Sequence, residues 1–296
     1  MFEQLINGIT QGSVYALLAL GFTVIFGTLR MVTFAHGEVF MVGAYLGFTV
    51  VSYIAPSLLL ALVVAIVASA ALGALIELLA FRYLRDASHF SSLLITIGIS
   101  IILINLAQLI WGPESRAVPP AIMEQFEFGE IEISGVYITY LQMAVLGVAV
   151  GLMAIMYLFV ERTHLGMCVR ATAQDHEAAY AMGVNVNRRF TLTFAIGSML
   201  GGVAGVLVGI YYNIFYPTMG ALLGLKAFSA SVVGGLSSMP GAVVAGLLIG
   251  VVESFTVAYG DGSLRHMVSF LFMIVVLIFR PTGLLGRKEL IRTRGD

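Results

Sequence analysis

Apolar runs of about 20 residues recur along this chain, each long enough to cross the hydrocarbon core of a bilayer as a helix. They fall at roughly 5–27, 37–54, 57–80, 91–111, 135–160, 190–212, 240–259 and 264–280, and hold hardly any charge. A weaker stretch at 217–236, rich in Gly and Ser, is either a ninth crossing or a re-entrant element. Only 10% of the 296 residues are charged, against about a quarter in soluble domains, and 59% are hydrophobic. These features predict an all-α integral membrane protein, a polytopic bundle of eight or nine helices with interrupted or re-entrant segments.

The few charges orient that bundle. Eleven of the 15 basic residues lie in three polar segments. Arg82 and Arg85 are in the first, Arg162, Arg170, Arg188 and Arg189 in the second, and Arg280, Arg287, Lys288, Arg292 and Arg294 in the C-terminal tail. The positive-inside rule places these segments in the cytoplasm. The stretch 112–134 carries Glu114, Glu124, Glu127, Glu130 and Glu132 against Arg116 alone, and is expected outside. Parity from position 190 to the basic tail then requires four crossings, with 217–236 among them. Counting backwards gives nine crossings and an external N-terminus. The N-terminus has no basic region and no small-residue cleavage site, so residues 5–27 read as a retained span. A single cysteine, Cys168, allows no internal disulfide and no cysteine-based metal cluster. The net charge of -1 offers no basic field for nucleic acid.

Ionisable groups at membrane depth are costly, about 2.5–3.5 kcal/mol each on insertion scales, and face protein or water. Thr33, His36 and Glu38 sit in a polar break between the first two spans, with Arg30 just before it and Gly27 and Gly37 flanking. Two readings stand: a pathway element exposing a helix N-terminus to a substrate, or a tight cytoplasmic turn whose Glu38 favours the next helix through its dipole. Glu77 lies near a span end and could snorkel or pair with Arg82, while Asn105 and Gln108 share a helical face, a pattern more usual for interhelical glue. Lys226 and Glu253 are sharper candidates, each set in apolar surroundings and needing a partner or water. Thr33, His36, Glu38, Asn105, Lys226 and Glu253 are the candidate translocation-pathway residues.

Glycine recurs every four residues at Gly197, Gly201, Gly205 and Gly209. Gly43 and Gly47, Gly147 and Gly151, and Gly246 and Gly250 repeat the spacing once each. Such stripes admit a neighbouring helix backbone at close range, and tight packing is the favoured reading for all of them. The segment from Gly234 to Gly241 reads as a turn or hinge. In the polar segment 161–189, residues 168–182 suit one helix: Ala-rich, free of Pro and stopped by Gly183. Val169, Ala173, Ala179 and Met182 supply its apolar positions, and Arg170, Gln174 and Glu177 a polar stripe. That helix could dock a partner or could lie on lipid headgroups as an interfacial connector.

Ordered motifs over essentially the whole chain add a resemblance. They run from Gly12-Ser13-Val14-Tyr15-Ala16-Leu17 and Phe34-Ala35-His36-Gly37-Glu38, through Arg170-Ala171 with Asp175 and Ala179-Tyr180-Ala181-Met182-Gly183-Val184-Asn185. They continue with Lys226-Ala227-Phe228, Val233-Gly234-Gly235-Leu236, Pro240-Gly241-Ala242 and Arg280-Pro281-Thr282-Gly283-Leu284. In these the chain resembles the LivH-type permease subunit of bacterial branched-chain amino acid ABC transporters. The resemblance implies one permease domain over 1–296 in the cytoplasmic (inner) membrane, paired with a second, related permease. Two cytoplasmic ABC ATPases and an extracytoplasmic substrate-binding protein complete the implied assembly. ATP and Mg would belong to the ATPases, with no cofactor bound by this chain. Residues 168–183 would be the coupling helix, with Arg170, Gln174, Asp175, Glu177, Met182 and Gly183 as ATPase-coupling positions.

The chain has no G-x-x-x-x-G-K-[ST] phosphate loop, since neither Lys226 nor Lys288 follows glycine. No paired carboxylates at helical spacing, no Ser/His or Ser/Lys arrangement and no metal-ligand cluster point to catalysis. Its five histidines, His36, His89, His164, His176 and His266, are scattered. Alternatives remain within transport: a permease for urea or short amides, which shares much of the pattern, or a self-contained ion-coupled carrier built on His36, Glu38, Lys226 and Glu253. A non-transporting scaffold fits less well with so many polar groups at membrane depth.

Overall fold

The computed structural model describes residues 1–83, 89–120, 123–124, 129–133 and 136–286. Arg85, Glu127, Arg287, Lys288, Arg292 and Arg294 lie outside the described residues, so the placement expected for them rests on sequence.

Among the described residues, eight helical segments are long and apolar enough to cross a membrane. They coincide with the eight predicted runs, and the chain is a multi-pass all-α membrane protein. Helix α1 (Phe2–Leu29) is followed by α2 (Ala35–Thr49), which a π-helical turn (Val50–Ile54) extends. Then come α3 (Leu58–Leu79), α4 (His89–Trp111), a hairpin of β1 (Glu130–Ile133) and β2 (Val136–Thr139), and α5 (Tyr140–Arg162). Two short helices follow, α6 (His164–Gln174) and α7 (His176–Ala181). The last third holds α8 (Val186–Tyr212), α9 (Met219–Gly234), α10 (Met239–Tyr259) and α11 (Arg265–Phe279).

The hairpin departs from the expectation of a plain acidic loop. Its strands pair antiparallel with Glu130 opposite Thr139 and Glu132 opposite Tyr137. Alternating apolar and polar residues in Glu130–Ile133 and Val136–Thr139 carry this signal. The fifth span therefore starts at Tyr140 and not at 135. Thr139 caps it: its hydroxyl accepts from the Gln142 N–H at 3.2 Å, and the Gln142 side chain accepts from the Thr139 N–H at 3.1 Å.

Long-range contacts define two ends of the bundle. At the hairpin end, Gln142 of α5 donates to Asn7 of α1 at 2.7 Å, and Ser254 of α10 donates to the Gln4 carbonyl at 2.8 Å. The Arg116 and Phe215 backbones exchange hydrogen bonds at 2.7 and 2.9 Å there, just after α8 ends. At the other end, Thr191 of α8 donates to Glu77 of α3 at 2.6 Å. Helix α9 has 16 residues, about 24 Å at 1.5 Å per residue, short of a hydrocarbon core of about 30 Å. It begins four residues past Phe215, with Gly220 and Gly224 against Gly37 at the start of α2, and finishes where Val233 and Gly234 carbonyls accept from Leu284 and Leu285. In between, Ser231 donates to the Ala19 carbonyl of α1 at 3.0 Å.

Helices α1 and α8 are buried over most of their circumference and form the centre of the bundle. Their neighbours approach through glycine. Helix α10 packs antiparallel on α1, with Gly250 on Gly12 and Gly246 on Ala16, while a Cβ on Gly12 would lie 2.8 Å from the Leu247 Cα. The α8 stripe receives α1 and α2: Gly197 faces Gly21 and Ile25, Gly201 faces His36, and Gly205 faces Phe40 and Ala44. Gly209 instead accommodates the Phe215 ring. Gly147 and Gly151 on α5 depart from the packing expectation, because no other atom comes within 4 Å of where a Cβ would stand.

This contrast gives a direct test. Replacing Gly12 with Leu forces α1 and α10 apart and is expected to cost about 1–3 kcal/mol or more by overpacking. Gly147→Leu is expected to stay within about 0.5 kcal/mol of the parent. Denaturant unfolding midpoints in detergent should separate the two variants.

Candidate translocation site and coupling surface

Arg30 closes α1 in the left-handed conformation (φ 55°), its N–H bonding the Phe26 carbonyl at 2.7 Å. The chain then turns back, and α2 starts at Ala35 with no side chain capping its first turn. The His36 ring lies against Gly21 of α1 and against Gly201, close to the midpoint of α8. The polar break therefore packs against α1 and α8. The start of α2 presents the positive end of its helix dipole there.

Beside this start is a cavity of about 130 Å³ lined by residues of α1, α2, α4 and α9 and by the α1–α2 link. Thr33, His36 and Glu38 line it, joined by Ser100 of α4 and by the apolar Phe22, Leu225 and Phe228. Ser100 Oγ donates to Glu38 Oε1 at 2.9 Å. Glu38 is fully buried, and its Oε2 has no hydrogen-bond partner. Neither His36 ring nitrogen has a well-formed one; the Leu18 backbone is a loosely placed neighbour. Phe22 stands edge-on to the His36 ring, with centroids 6.1 Å apart. The three pathway candidates at the break thus meet in one place.

Asn105 is elsewhere. It is exposed on the outer face of α4, and its amide bonds back to the Ile101 carbonyl at 2.7 Å. Lys226 and Glu253 do find each other, but they do not line the cavity. Lys226 Nζ lies 2.5 Å from Glu253 Oε1, with both side chains 1% exposed. Glu253 Oε2 accepts from Gln11 at 2.8 Å and from the Tyr15 hydroxyl at 3.0 Å, and pairs with Arg265 Nε at 3.4 Å. Ser269 also donates to Oε1, and Arg265 donates to the Tyr212 hydroxyl at 2.7 Å. One carboxylate therefore ties together α1, α9, α10 and α11, and Arg265 adds α8 through Tyr212. These residues form a closed structural network in place of the open pathway element expected of them. Gln11 and Tyr15, four apart in an apolar run, are the trace it leaves in the sequence; nothing there singles out Ser269 or Ser100.

At the far end of α5 the predicted helix over 168–182 is two helices. Asp175 adopts an extended conformation (φ −155°, ψ 109°), ending α6 and starting α7. Its Oδ1 accepts from the Ala178 and Glu177 N–H groups at 2.9 and 3.0 Å. Those bonds, the Ala178 one foremost, hold the carboxyl below the usual aspartate range. An aspartate that can cap two amides competes with helix continuation, and the Ala-rich composition hides that competition. Arg170 turns away from the polar stripe, donating to the Val160 carbonyl at 2.5 Å and to Glu161 at 2.8 Å, and so fixes α6 against the end of α5. Val169 and Ala179 are buried, but Met182 is 85% exposed and not on the buried face assigned to it. Tyr180 is 74% exposed. Gln174, Asp175, Glu177 and Gly183 surround them on the same open surface, and Gly183 ends the elbow at φ +84°.

A polytopic helical bundle with a polar break between two spans beside a small mixed cavity, and an exposed elbow at one end, is the architecture of a membrane permease. The family described as branched-chain amino acid transport system / permease component matches residues 4–277, and the chain belongs to this family. It is 40% identical to the high-affinity branched-chain amino acid transport system permease protein BraD of Pseudomonas aeruginosa, over 97% of this chain and 96% of BraD. It is 38% identical to the corresponding permease protein LivH of Escherichia coli K12 over the same shares. A probable LivH of Methanocaldococcus jannaschii is 30% identical over 95% of this chain and 91% of its own length.

The buried ion pair makes a sharp prediction. Glu253→Ala leaves Lys226 charged and unpaired, and is expected to destabilise the protein by about 3–5 kcal/mol. Replacing both members by apolar residues, Lys226→Met with Glu253→Leu, should recover part of that loss, because Arg265, Gln11 and Ser269 still lose their acceptor. A double-mutant cycle on thermal stability in detergent measures the difference.

Proposed function

We propose that this chain is the permease subunit of an ATP-driven importer, forming half of the translocation pathway for branched-chain amino acids. The observation that carries the reading is the match over nearly the whole chain to permease components of branched-chain amino acid transport systems. In this reading the second half of the pathway comes from a related permease. An extracytoplasmic binding protein delivers substrate, and two cytoplasmic ATPases supply the energy, with ATP and Mg bound there and not here. The basic segments then face the cytoplasm, which puts the hairpin and the N-terminus outside.

The elbow α6–α7 is the coupling surface in this reading. An exposed apolar tip, Tyr180 and Met182, on a capped helix suits insertion into a cleft on a partner. Because Asp175 and Thr163 cap α7 and α6, the elbow would move as a rigid piece with α5 when the ATPases close. The helix break over the cavity would then open alternately to the two sides. The closed Lys226–Glu253 network leaves Glu38 and His36 as the groups on which an ion-coupled carrier would be built.

The test uses the permease pair, ATPases and binding protein co-expressed and reconstituted in proteoliposomes, with ATP-dependent leucine uptake as the readout. Met182→Asp together with Tyr180→Ala should weaken ATPase association by at least about tenfold and abolish uptake while insertion is unchanged. Asp175→Asn, which keeps a good N-cap, should retain uptake. Uptake at the parental rate in the double variant would refute the coupling assignment. The pH dependence follows from the Asp175 cap. A carboxyl held below its ordinary range contributes its capping above that range and loses it as pH falls through the lowered value. ATPase association should therefore be flat through neutral pH and fall only under acidic conditions.

A further inference from the structure

The geometry points to the cavity between α1, α2, α4 and α9 as a subsite for the ammonium group of an aliphatic amino acid, with Glu38 as its counter-charge. This inference rests on the permease reading and names the part of the substrate recognised within the pathway.

Glu38 Oε2, a buried polar atom with no hydrogen-bond partner, belongs to a residue that lines the cavity, while the Nε2 edge of the His36 ring turns toward Gly21 and Gly201. Buried polar groups are nearly always satisfied, and each orphan costs about 1–3 kcal/mol. A carboxylate oxygen left unpartnered in a residue that lines a cavity indicates an occupant that brings its own hydrogen bonds. Carboxylate oxygens are acceptors, so Glu38 calls for a donor and, as a charge, for a cation.

The remaining wall is hydrocarbon. Phe22 and Phe228 stand edge-on with centroids 5.4 Å apart, and Leu225 lies beside them. The volume, about 130 Å³, is close to that of engineered cavities of about 150 Å³ that take up benzene, so a branched alkyl chain is of the right size. The wall positions are set by backbone and not by adaptable side chains. A Cβ on Gly224 would lie 2.8 Å from the Gly37 Cα, and one on Gly220 would lie 2.6 Å from Glu38 Oε2. Glycine at these positions lets α9 close against the start of α2 while leaving the carboxylate oxygen room. The exposed Ala221 and Leu225 on α9 mark the rim.

The experiment uses the assembled transporter carrying Cys168→Ser, which removes this chain's one cysteine, and Ala221→Cys as a reporter at the rim. Labelling of this chain is followed by mass spectrometry with two small thiol reagents: 2-aminoethyl methanethiosulfonate, an alkylammonium, and the anionic 2-sulfonatoethyl analogue. The cationic reagent should react faster by about tenfold, the lower range for a cleft that focuses one sign of charge. Glu38→Gln should abolish that preference and Glu38→Asp should restore part of it, with size-exclusion elution of each complex verifying assembly. Leucine should slow the reaction, and 4-methylpentanoate, which has the same alkyl chain without the ammonium, should not. Equal rates for the two reagents, or a preference that survives Glu38→Gln in an assembled complex, would mean that the cavity holds only water, and would overturn the inference. Leucine uptake measured on the same reporter preparation separates the two readings. Charge preference without ATP-driven leucine uptake refutes the permease reading and leaves the ammonium subsite standing. Uptake without charge preference does the reverse.

Discussion

Close approach of helix backbones around α1 is the constraint on which the rest of this structure depends. In a bilayer there is no hydrophobic gain from hiding one apolar helix against another, so association comes from van der Waals contact and hydrogen bonds at short range. Here Gly12 and Gly250 touch, Gly246 meets Ala16, and Gly197 meets Gly21. The same device brings Gly37 against Gly220 and Gly224. That last contact seats the start of α2 against the short α9. Without glycine there, α2 and α9 would be held apart and the cavity wall would be lost.

A second constraint is electrostatic. Lys226 and Arg265 share a single carboxylate, Glu253, with Tyr15, Gln11 and Ser269 satisfying the oxygens. A buried ion pair adds little net stability over an apolar replacement of the same shape, but it penalises any arrangement that separates its members. Four helices meet at this one carboxylate, so the network selects a register for α9, α10 and α11 against α1. The contrast with Glu38 is instructive. Both carboxylates are buried at membrane depth, yet one is saturated with donors and the other has an oxygen to spare. A saturated group holds the scaffold together, and an unsaturated one beside a cavity is available to a ligand.

Legibility in the sequence followed the range of the interaction. The eight long spans were readable because a bilayer imposes a minimum apolar length, and the polar break at Thr33–Glu38 stood out because charge there is expensive. The hairpin carried a local alternation that the acidic composition concealed. The split at Asp175 depended on one side chain choosing backbone amides over helix continuation, which Ala-rich neighbours do not forecast. Asn105 looked like Glu38 by the criterion of polarity in a span, but α4 presents it outward. Gly147 and Gly151 had the spacing of a packing motif with nothing packed on it among the described residues.

The sequence by itself determined that this chain spans a membrane many times as helices, roughly where each span lies and which short segments carry polar groups into it. Those features arise from the solvent acting on each segment separately, so they are written locally. Tertiary structure alone decided which charges are partners, which face of each helix is outward, and that Glu38, His36 and Ser100 share one cavity. Those outcomes depend on contacts between residues as far apart as Gln11 and Glu253, which no local pattern encodes.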